Sequence, residues 1–214
     1  MNPIPKFNMK KILLFAISML SIVAFSQKER TFNGELLYNI ERINPKDSIP
    51  SKMLIYAKDS LQRVVNFSSN LGKQEMVKHL RLNKSFLLVS TTRGEYAIKT
   101  DHHQVDSSIS YSYKRKLGSA RIGGIKAKRA VLSIKGIDKK FEVFYYKKID
   151  AKYGSAYPKL PGLPVKYIVA TEEGIYQYTL VSIKFFSPPI DLFIIPESFQ
   201  KVSIEEFIQK VSAP

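Results

Sequence analysis

Short strand-like runs separated by turn residues make up most of this 214-residue chain. The runs are rich in β-branched, aromatic and other apolar residues, and clusters of Gly, Pro, Asn, Asp and Ser divide them at intervals of about 8–12 residues. This spacing favours an antiparallel meander over βαβ units, which need a helix between successive strands. We therefore predict a mainly β (α+β) fold. The predicted strands cover residues 34–40, 53–57, 61–67, 86–90, 96–98, 141–146, 165–170 and 175–186, and a Gly-Gly turn leads into a further strand within residues 122–132.

Local patterns differ in how strongly they indicate strands. Leu36, Tyr38 and Ile40 alternate with polar residues and should share one buried face. Residues 76–82 alternate less cleanly, and a helix over residues 71–80 is the alternative there. The segment 100–119 is the least regular part of the chain.

One helix is predicted near the C-terminus. Ser203 and Glu206 fit a capping box, in which each side chain accepts a hydrogen bond from the other residue's backbone amide. Ile204, Phe207, Ile208 and Val211 follow at helical spacing and form one apolar stripe. We expect this stripe to pack on the sheet.

A proline-rich stretch over residues 157–167 separates two predicted strands. Proline fixes φ and lacks a backbone donor, so a stretch with Pro158, Pro161 and Pro164 cannot join a sheet along its whole length. Its leucines, and Tyr167 at its end, nevertheless favour burial. The stretch is therefore either a lid on the core or the rim of a binding site.

Residues 1–26 have the pattern of a cleaved signal peptide. Three lysines precede an apolar run over residues 12–25, and small residues at Ala24 and Ser26 fit the cleavage rule. The run of 14 residues is shorter than the roughly 20 that a membrane-spanning helix needs. We expect export, with residues 27–214 forming a single β-rich domain.

The densest group of basic residues lies between residues 114 and 129. Basic residues outnumber acidic ones by 34 to 18, and the formal net charge is +16. For an exported protein, such a surface favours anionic lipid headgroups or lipopolysaccharide as partners, and we expect no nucleic acid. The alternative is a solvated strand face without a partner. The residues predicted to bind anionic headgroups are Lys114, Arg115, Lys116, Lys126, Lys128 and Arg129.

Catalytic and metal-binding patterns are weak in this sequence. His102 and His103 follow Asp101, but adjacent side chains on an extended segment point to opposite sides and seldom bind one ion. No G-x-S-x-G motif is present. The chain also has no cysteine, which rules out disulfides and a lipid-modified Cys. We predict no catalytic residues, no metal, no cofactor and no enzymatic activity.

Residues 160–163 read Leu-Pro-Gly-Leu, which resembles the centre of the motif that names the GLPGLI family of exported proteins in Bacteroidota. Lys159 stands in place of the first Gly of that motif, and Pro164 in place of its last Ile. The order of segments is also similar to that of exported domains related to the LolA lipoprotein carrier. This resemblance implies a curved half-barrel that encloses an apolar groove, in the periplasm or cell envelope of a Gram-negative bacterium or secreted from it.

The resemblance and a surplus of large apolar residues together predict a non-enzymatic envelope protein. One curved sheet and one short helix leave room for an uncovered concave face that binds or carries a hydrophobic or lipid ligand. The alternative is an envelope scaffold or protein-interaction module whose core is filled. The residues predicted for the groove and its rim are Leu160, Pro161, Gly162, Leu163, Tyr167, Phe144, Tyr146 and Tyr178.

Overall fold

The computed structural model describes residues 30–43, 51–68, 72–101, 110–154, 156–171 and 174–212. The predicted signal peptide and the His102–His103 pair lie outside the described residues. The strands are β1 (Gly34–Arg42), β2 (Ser51–Lys58), β3 (Leu61–Ser68), β4 (Gly72–His79), β5 (Lys84–Thr91), β6 (Gly94–Asp101), β7 (Tyr111–Ile122), β8 (Ile125–Ile134), β9 (Phe141–Tyr146), β10 (Leu163–Thr171), β11 (Gly174–Phe185) and β12 (Gln200–Val202). One α-helix, α1, spans Ile204–Ser212, and short 3-10 helices span Ala151–Tyr153 and Ile190–Phe193.

All of the described strands belong to a single open sheet. Its order is β12-β6-β5-β4-β3-β2-β1-β11-β10-β9-β8-β7, so two meanders, β1–β6 and β7–β11, meet where β1 pairs with β11. Among the described strands, only β12 is parallel to its neighbour, β6. The predicted class, a mainly β protein with a curved antiparallel meander and a C-terminal helix, is confirmed.

The curvature is visible at the tip of the β7–β8 hairpin. Gly123 at this tip has φ +53°, and a Cβ there would lie 3.0 Å from the carbonyl oxygen of Leu180 in β11. Strands β9 and β10 separate β8 from β11 within the sheet. The hairpin can reach Leu180 only because this half of the sheet curls over its own face.

We call this face the inner face and define it by Leu36, Ile55 and Val64. Leu36 lies opposite Ile55, and Ile55 lies opposite Val64, so the three side chains point to the same side. Leu36, Tyr38 and Ile40 are all buried, as their alternation predicts. The largest cluster of buried residues forms on this side of the sheet.

The helix considered for residues 71–80 is wrong. This stretch forms strand β4, in which Met76 lies opposite Val64 of β3 and Leu87 of β5. Pairing on both sides satisfies the backbone donors and acceptors, and this tertiary context outweighs a weak helical pattern.

The irregular segment 100–119 also contains a strand that its composition hides. Strand β7 begins at Tyr111 and pairs with β8, but it is the last strand of the sheet and most of its side chains are exposed. An exposed edge strand needs no alternation of apolar and polar residues, so the period-2 signal is missing.

The C-terminal helix has the predicted cap. The Ser203 amide donates to Glu206 Oε2 over 2.8 Å, and the Glu206 amide donates to Ser203 Oγ over 3.2 Å.

Phe207 and Val211 pack on the buried cluster of Tyr96, Ile98 and Val202. The rest of the apolar stripe does not pack as predicted, since Ile204 and Ile208 are 53% and 54% exposed. The helix lies over strand β6, near one end of the sheet. Only half of its apolar stripe therefore contacts the sheet.

Candidate ligand-binding site on the inner face of the sheet

The segment 149–163, which we call the inner strap, covers the centre of the inner face. Tyr153 within it is fully buried, and its carbonyl accepts a hydrogen bond of 2.9 Å from Gln62 Nε2 of β3. Just beyond the strap, the carbonyl of Pro164 accepts a 2.8 Å hydrogen bond from the Tyr38 hydroxyl of β1. Gln62 and Tyr38 both point to the inner face, so the strap is part of the core.

Strand β10 begins inside the proline-rich stretch, two residues before the predicted start. Leu163 lies opposite Tyr146, Pro164 lies opposite Tyr145, and the register shifts before Lys166. Proline is tolerated at such an irregularity because a ladder hydrogen bond is already missing there.

A cavity of about 280 Å³ lies beside the strap, between the sheet and a wall of tyrosines. The sheet contributes residues of β2 to β5, and the opposite side is formed by the strap, the start of β7 and strands β10 and β11. The lining consists of Met53, Val64, Asn66, Gln74, Glu75, Met76, Lys78, Leu87, Tyr111, Ala156, Tyr157, Pro158, Val169 and Tyr178.

The tyrosine wall is held rigidly by ring contacts. Tyr111 and Tyr157 meet edge to face with their centroids 4.9 Å apart, and Tyr157 meets Tyr167 in the same way at 6.0 Å. Tyr167 in turn stacks on Tyr178 at 5.0 Å and an interplanar angle of 11°. Such pairs stabilise each other beyond the area that they bury, so the wall is preorganised.

Tyr157 has an unusual backbone conformation that positions its ring. Its φ is +59°, a left-handed value that is rare for a bulky residue and persists only where the surroundings hold it. Its hydroxyl donates to the carbonyl of Ile168, and its own carbonyl accepts from the Leu160 amide at 3.0 Å. These two bonds hold the ring of Tyr157 in the cavity wall.

Neither the tyrosines of the wall nor Glu75 adds an unbalanced charge to the cavity. Burial raises the pKa of the Tyr157 and Tyr178 phenols above the ordinary value of 10.0, so both are neutral at physiological pH. Burial would also raise the pKa of Glu75, but hydrogen bonds from Lys73 and Arg63 outweigh it and lower that pKa. Glu75 lies opposite Val65, so its ionised carboxylate points away from the inner face, and Lys73 and Arg63 balance its charge there.

Asn66 carries the one unusual polar atom of the lining. Its Oδ1 is buried and accepts no hydrogen bond from any of the described residues. In the sheet, Asn66 lies opposite Met53 and Gln74, which also line the cavity. A buried acceptor without a donor is uncommon in folded proteins, and a ligand can supply the missing donor.

The residues predicted for the groove fall into two groups. Tyr178 lines the cavity, and Tyr167, fully buried, supports it from behind. The other predicted residues are at or near the junction of the strap with β9 and β10, where Leu163 lies opposite Tyr146. Leu160 and Leu163 are buried in the core, and Gly162 packs against the backbone of β9. The residues of this junction do not line the cavity; they are Leu160, Pro161, Gly162, Leu163, Phe144 and Tyr146.

The sequence interpretation missed most of the cavity floor. Met53, Val64, Met76 and Leu87 are neighbours across four strands, and their common face follows from period 2 once the strand register is known. Tyr111 was also missed, because β7 was not recognised as a strand. Alternation marks such positions as inward, but it does not show which of them remain uncovered.

The six residues predicted to bind anionic headgroups lie together on the terminal hairpin of the sheet, and we call them the basic edge. Arg115 lies opposite Ala130, and Lys128 lies opposite Ser119. All six are exposed. Arg129 pairs with Glu142, whereas the other five cations have no acidic partner within the described ranges. The basic edge consists of Lys114, Arg115 and Lys116 on β7 and Lys126, Lys128 and Arg129 on β8.

No group of three or more His, Asp or Glu side chains in the described part of the chain could hold a metal ion. None of the helices described is both long enough and apolar enough to cross a bilayer.

Comparisons with known proteins add information on the fold alone. No protein-family model matches the chain, and no curated protein matches it either. Among solved structures, a structure of PNGF-II is similar with a TM-score of 0.50 and 11% sequence identity, over 81% of this chain and 32% of that one. The chain thus spans about a third of the length of that protein. At this identity, the likeness extends to the arrangement of strands and not to any activity.

Proposed function

We propose that this protein binds a small, mostly apolar ligand in the cavity beside the inner strap. The observation that carries the proposal is the cavity itself, with its floor of Met53, Val64, Met76 and Leu87 and its rigid tyrosine wall. Ligand sites are typically concave and apolar and contain a few well-placed polar groups. Asn66 is such a group here.

The volume of the cavity limits the size of the ligand. An engineered apolar cavity of about 150 Å³ binds benzene, and this cavity of about 280 Å³ is nearly twice as large. A two-ring compound or a short alkyl chain therefore fits, and a complete phospholipid does not.

Asn66 adds a chemical preference to this size limit. A buried acceptor left without a hydrogen bond costs about 1–3 kcal/mol, and a ligand that donates to it recovers part of that cost. We therefore expect an alcohol or phenol to bind more tightly than a hydrocarbon or ether of the same shape.

The sequence resemblance supports the cell envelope as the place where this protein binds its ligand. Export through residues 1–26, similarity to the GLPGLI proteins and similarity to LolA-like carriers remain predictions, and together they favour binding in the cell envelope.

The scaffold alternative rests on a specific observation as well. Leu160 and Leu163 fill the centre of the inner face, so only its side toward β2–β5 remains for a ligand.

Calorimetric titration with 1-naphthol and 1-methoxynaphthalene tests the proposal. The Val64→Phe variant fills the cavity, and Val65→Phe is its matched control, because Val65 is the next residue and points to the opposite face. Binding should disappear in Val64→Phe and persist in Val65→Phe, with circular dichroism confirming that both variants fold. The Asn66→Leu variant should remove a preference of about tenfold for naphthol over its ether. Absence of binding to the unaltered protein would favour the scaffold alternative.

A second function is favoured by the basic edge. Five exposed cations without acidic partners form a surface complementary to a membrane rich in anionic lipids, where each Lys or Arg contributes about 1 kcal/mol. Changing Lys114, Arg115 and Lys116 to Glu should abolish co-sedimentation with anionic vesicles at low salt. A variant with Lys84, Lys99 and Lys201 changed to Glu makes the same charge change at the opposite end of the sheet. Equal loss in both variants would show that net charge alone, and not this edge, governs binding.

A further inference from the structure

Strand β7 contains an outward bulge at its middle. Arg115 lies opposite Ala130 and Ser119 lies opposite Lys128, so three residues of β7 face one residue of β8. The middle residue of these three is Leu117, whose side chain is 96% exposed. Gly118 follows with φ +102° and open space on its outer side. The bulge therefore projects a leucine away from the body of the sheet.

The surroundings of Leu117 distinguish it from the other exposed apolar residues. It follows Lys114, Arg115 and Lys116 directly, and these cations have no acidic partner among the described residues. Lysines and a bulge are a common protection of an edge strand against pairing with another chain. A leucine at the tip of the bulge adds nothing to such protection. It exposes apolar surface beside the charges that would keep another chain away.

We propose that Leu117 inserts into the apolar boundary of an anionic phospholipid bilayer while the neighbouring cations bind the headgroup phosphates. This inference rests on the proposed membrane contact of the basic edge and specifies its geometry. Long basic side chains reach headgroups while their methylene stems lie along apolar surface, so the cations and the leucine can bind at the same time. Pairing of β7 with a second copy of the chain is less favourable, because it brings two basic edges together.

Tryptophan fluorescence gives a direct test, because the chain has no tryptophan of its own. Leu117→Trp places a single reporter at the tip of the bulge. Leu82→Trp is the matched control, since Leu82 is 57% exposed in the turn between β4 and β5. With vesicles that contain phosphatidylglycerol, the emission of Leu117→Trp should shift to shorter wavelength and that of Leu82→Trp should not. Pure phosphatidylcholine vesicles should shift neither.

Partitioning of the variants separates insertion from headgroup contact. Leu117→Ala should weaken binding to the anionic vesicles about tenfold, and Leu82→Ala should leave it unchanged. Co-sedimentation without a fluorescence shift in Leu117→Trp would overturn insertion while the headgroup contact stands. Absence of co-sedimentation of the unaltered protein would overturn both. A dimer in solution that Leu117→Ala dissociates would assign the bulge to a second copy and would also overturn the inference.

Discussion

Two segments outside the main strands cover this sheet, and they are attached to it in different ways. Most of the described residues of the inner strap, 149–163, are buried or half-buried, with Tyr153 and Leu163 fully inaccessible and only Pro158 and Lys159 exposed among them. The C-terminal segment, residues 187–212, touches the sheet at separate points and leaves Ile190, Ile194, Ile204 and Ile208 about half exposed. The strap lies in the curl between the two meanders and is surrounded by them, whereas the C-terminal segment crosses the sheet from β2 and β3 to β6. The inner strap therefore belongs to the core because the sheet curves around it.

The contacts of the C-terminal segment show how it is held. The Pro188 carbonyl accepts from Lys58 Nζ at 2.9 Å, and the Leu192 carbonyl accepts from Arg63 Nη1 at 3.0 Å. Phe199 then packs beside Val77 and Leu88, before β12 pairs with β6. These anchors hold the segment in place and bury Phe193 and Val202, while most of its other residues stay exposed.

Truncating one apolar residue in each segment should reveal the largest difference between them. Leu163→Ala removes a fully buried side chain from the end of the strap and should lower the free energy of unfolding by about 2–5 kcal/mol. Ile208→Ala, at a half-exposed position of α1, should change it by no more than about 0.5 kcal/mol. Urea unfolding of the two variants measures both values. Similar losses would contradict the idea that only the strap belongs to the core.

A methyl group added to the strap should have the next largest effect. A Cβ on Gly162 would lie 2.4 Å from the carbonyl oxygen of Tyr146 and 2.8 Å from Cα of Lys147. Both neighbours are backbone atoms that cannot rotate away, so Gly162→Ala should cost about 1–3 kcal/mol through overpacking. Lys159→Ala, at an exposed position of the same segment, is the control and should unfold like the unaltered protein. A stable Gly162→Ala variant would show that the strap can move relative to β9.

Removal of the helix cap should have a smaller and local effect. Ser203→Ala deletes the hydroxyl that accepts from the Glu206 amide and should cost about 1 kcal/mol of helix stability. Hydrogen exchange should become faster at the amides of α1 and remain unchanged in the strap. Ser187→Ala, at the exposed start of the same segment, should alter neither. Faster exchange throughout the sheet would mean that α1 is coupled to the core more strongly than its exposure indicates.

Acid should loosen the C-terminal segment by a still smaller amount. Arg63 donates to Glu75 Oε2 at 2.7 Å and also holds the Leu192 carbonyl, so this carboxylate orients an anchor of the segment. Because the folded pKa of Glu75 lies below the ordinary 4.5, its contribution is complete above about pH 4.5 and is lost as the pH falls through the lowered value. Proteolysis of residues 187–199 should accelerate over that range. Glu75→Gln should remove this pH dependence, and a Glu75→Gln protein with the same acid response would contradict the assignment.

Local signals were sufficient where a structural element depends on its own residues. The alternation of Leu36, Tyr38 and Ile40 predicts a buried strand face, and the spacing of Ser203 and Glu206 predicts a capped helix. Both elements are present because their hydrogen bonds and their apolar periodicity are set within a few residues of the chain. The basic edge was predicted as a charge cluster for the same reason, since its members are close in sequence.

The candidate site was less accessible to sequence reasoning. Tyr178 was predicted for it, but its floor combines Met53, Met76 and Leu87, which come from three separate strands. Tyr111 joins them only because the second meander curls over the first. Period 2 identifies inward positions, but which of them the strap covers depends on contacts between residues far apart in the chain.

The sequence by itself determined the strand-rich composition, the turns that make the strands antiparallel, the capped helix and the concentration of charge near residues 114–129. The tertiary structure decided that β1 pairs with β11, that the strap is buried and that a cavity remains between its tyrosines and β2–β5. It also decided that Leu117 projects from the edge, because the register of β7 against β8 leaves three residues opposite one. The physical reason is the distance along the chain over which the interactions act. Turns, caps and alternation act over a few residues, whereas strand register and burial depend on how the two meanders close on each other.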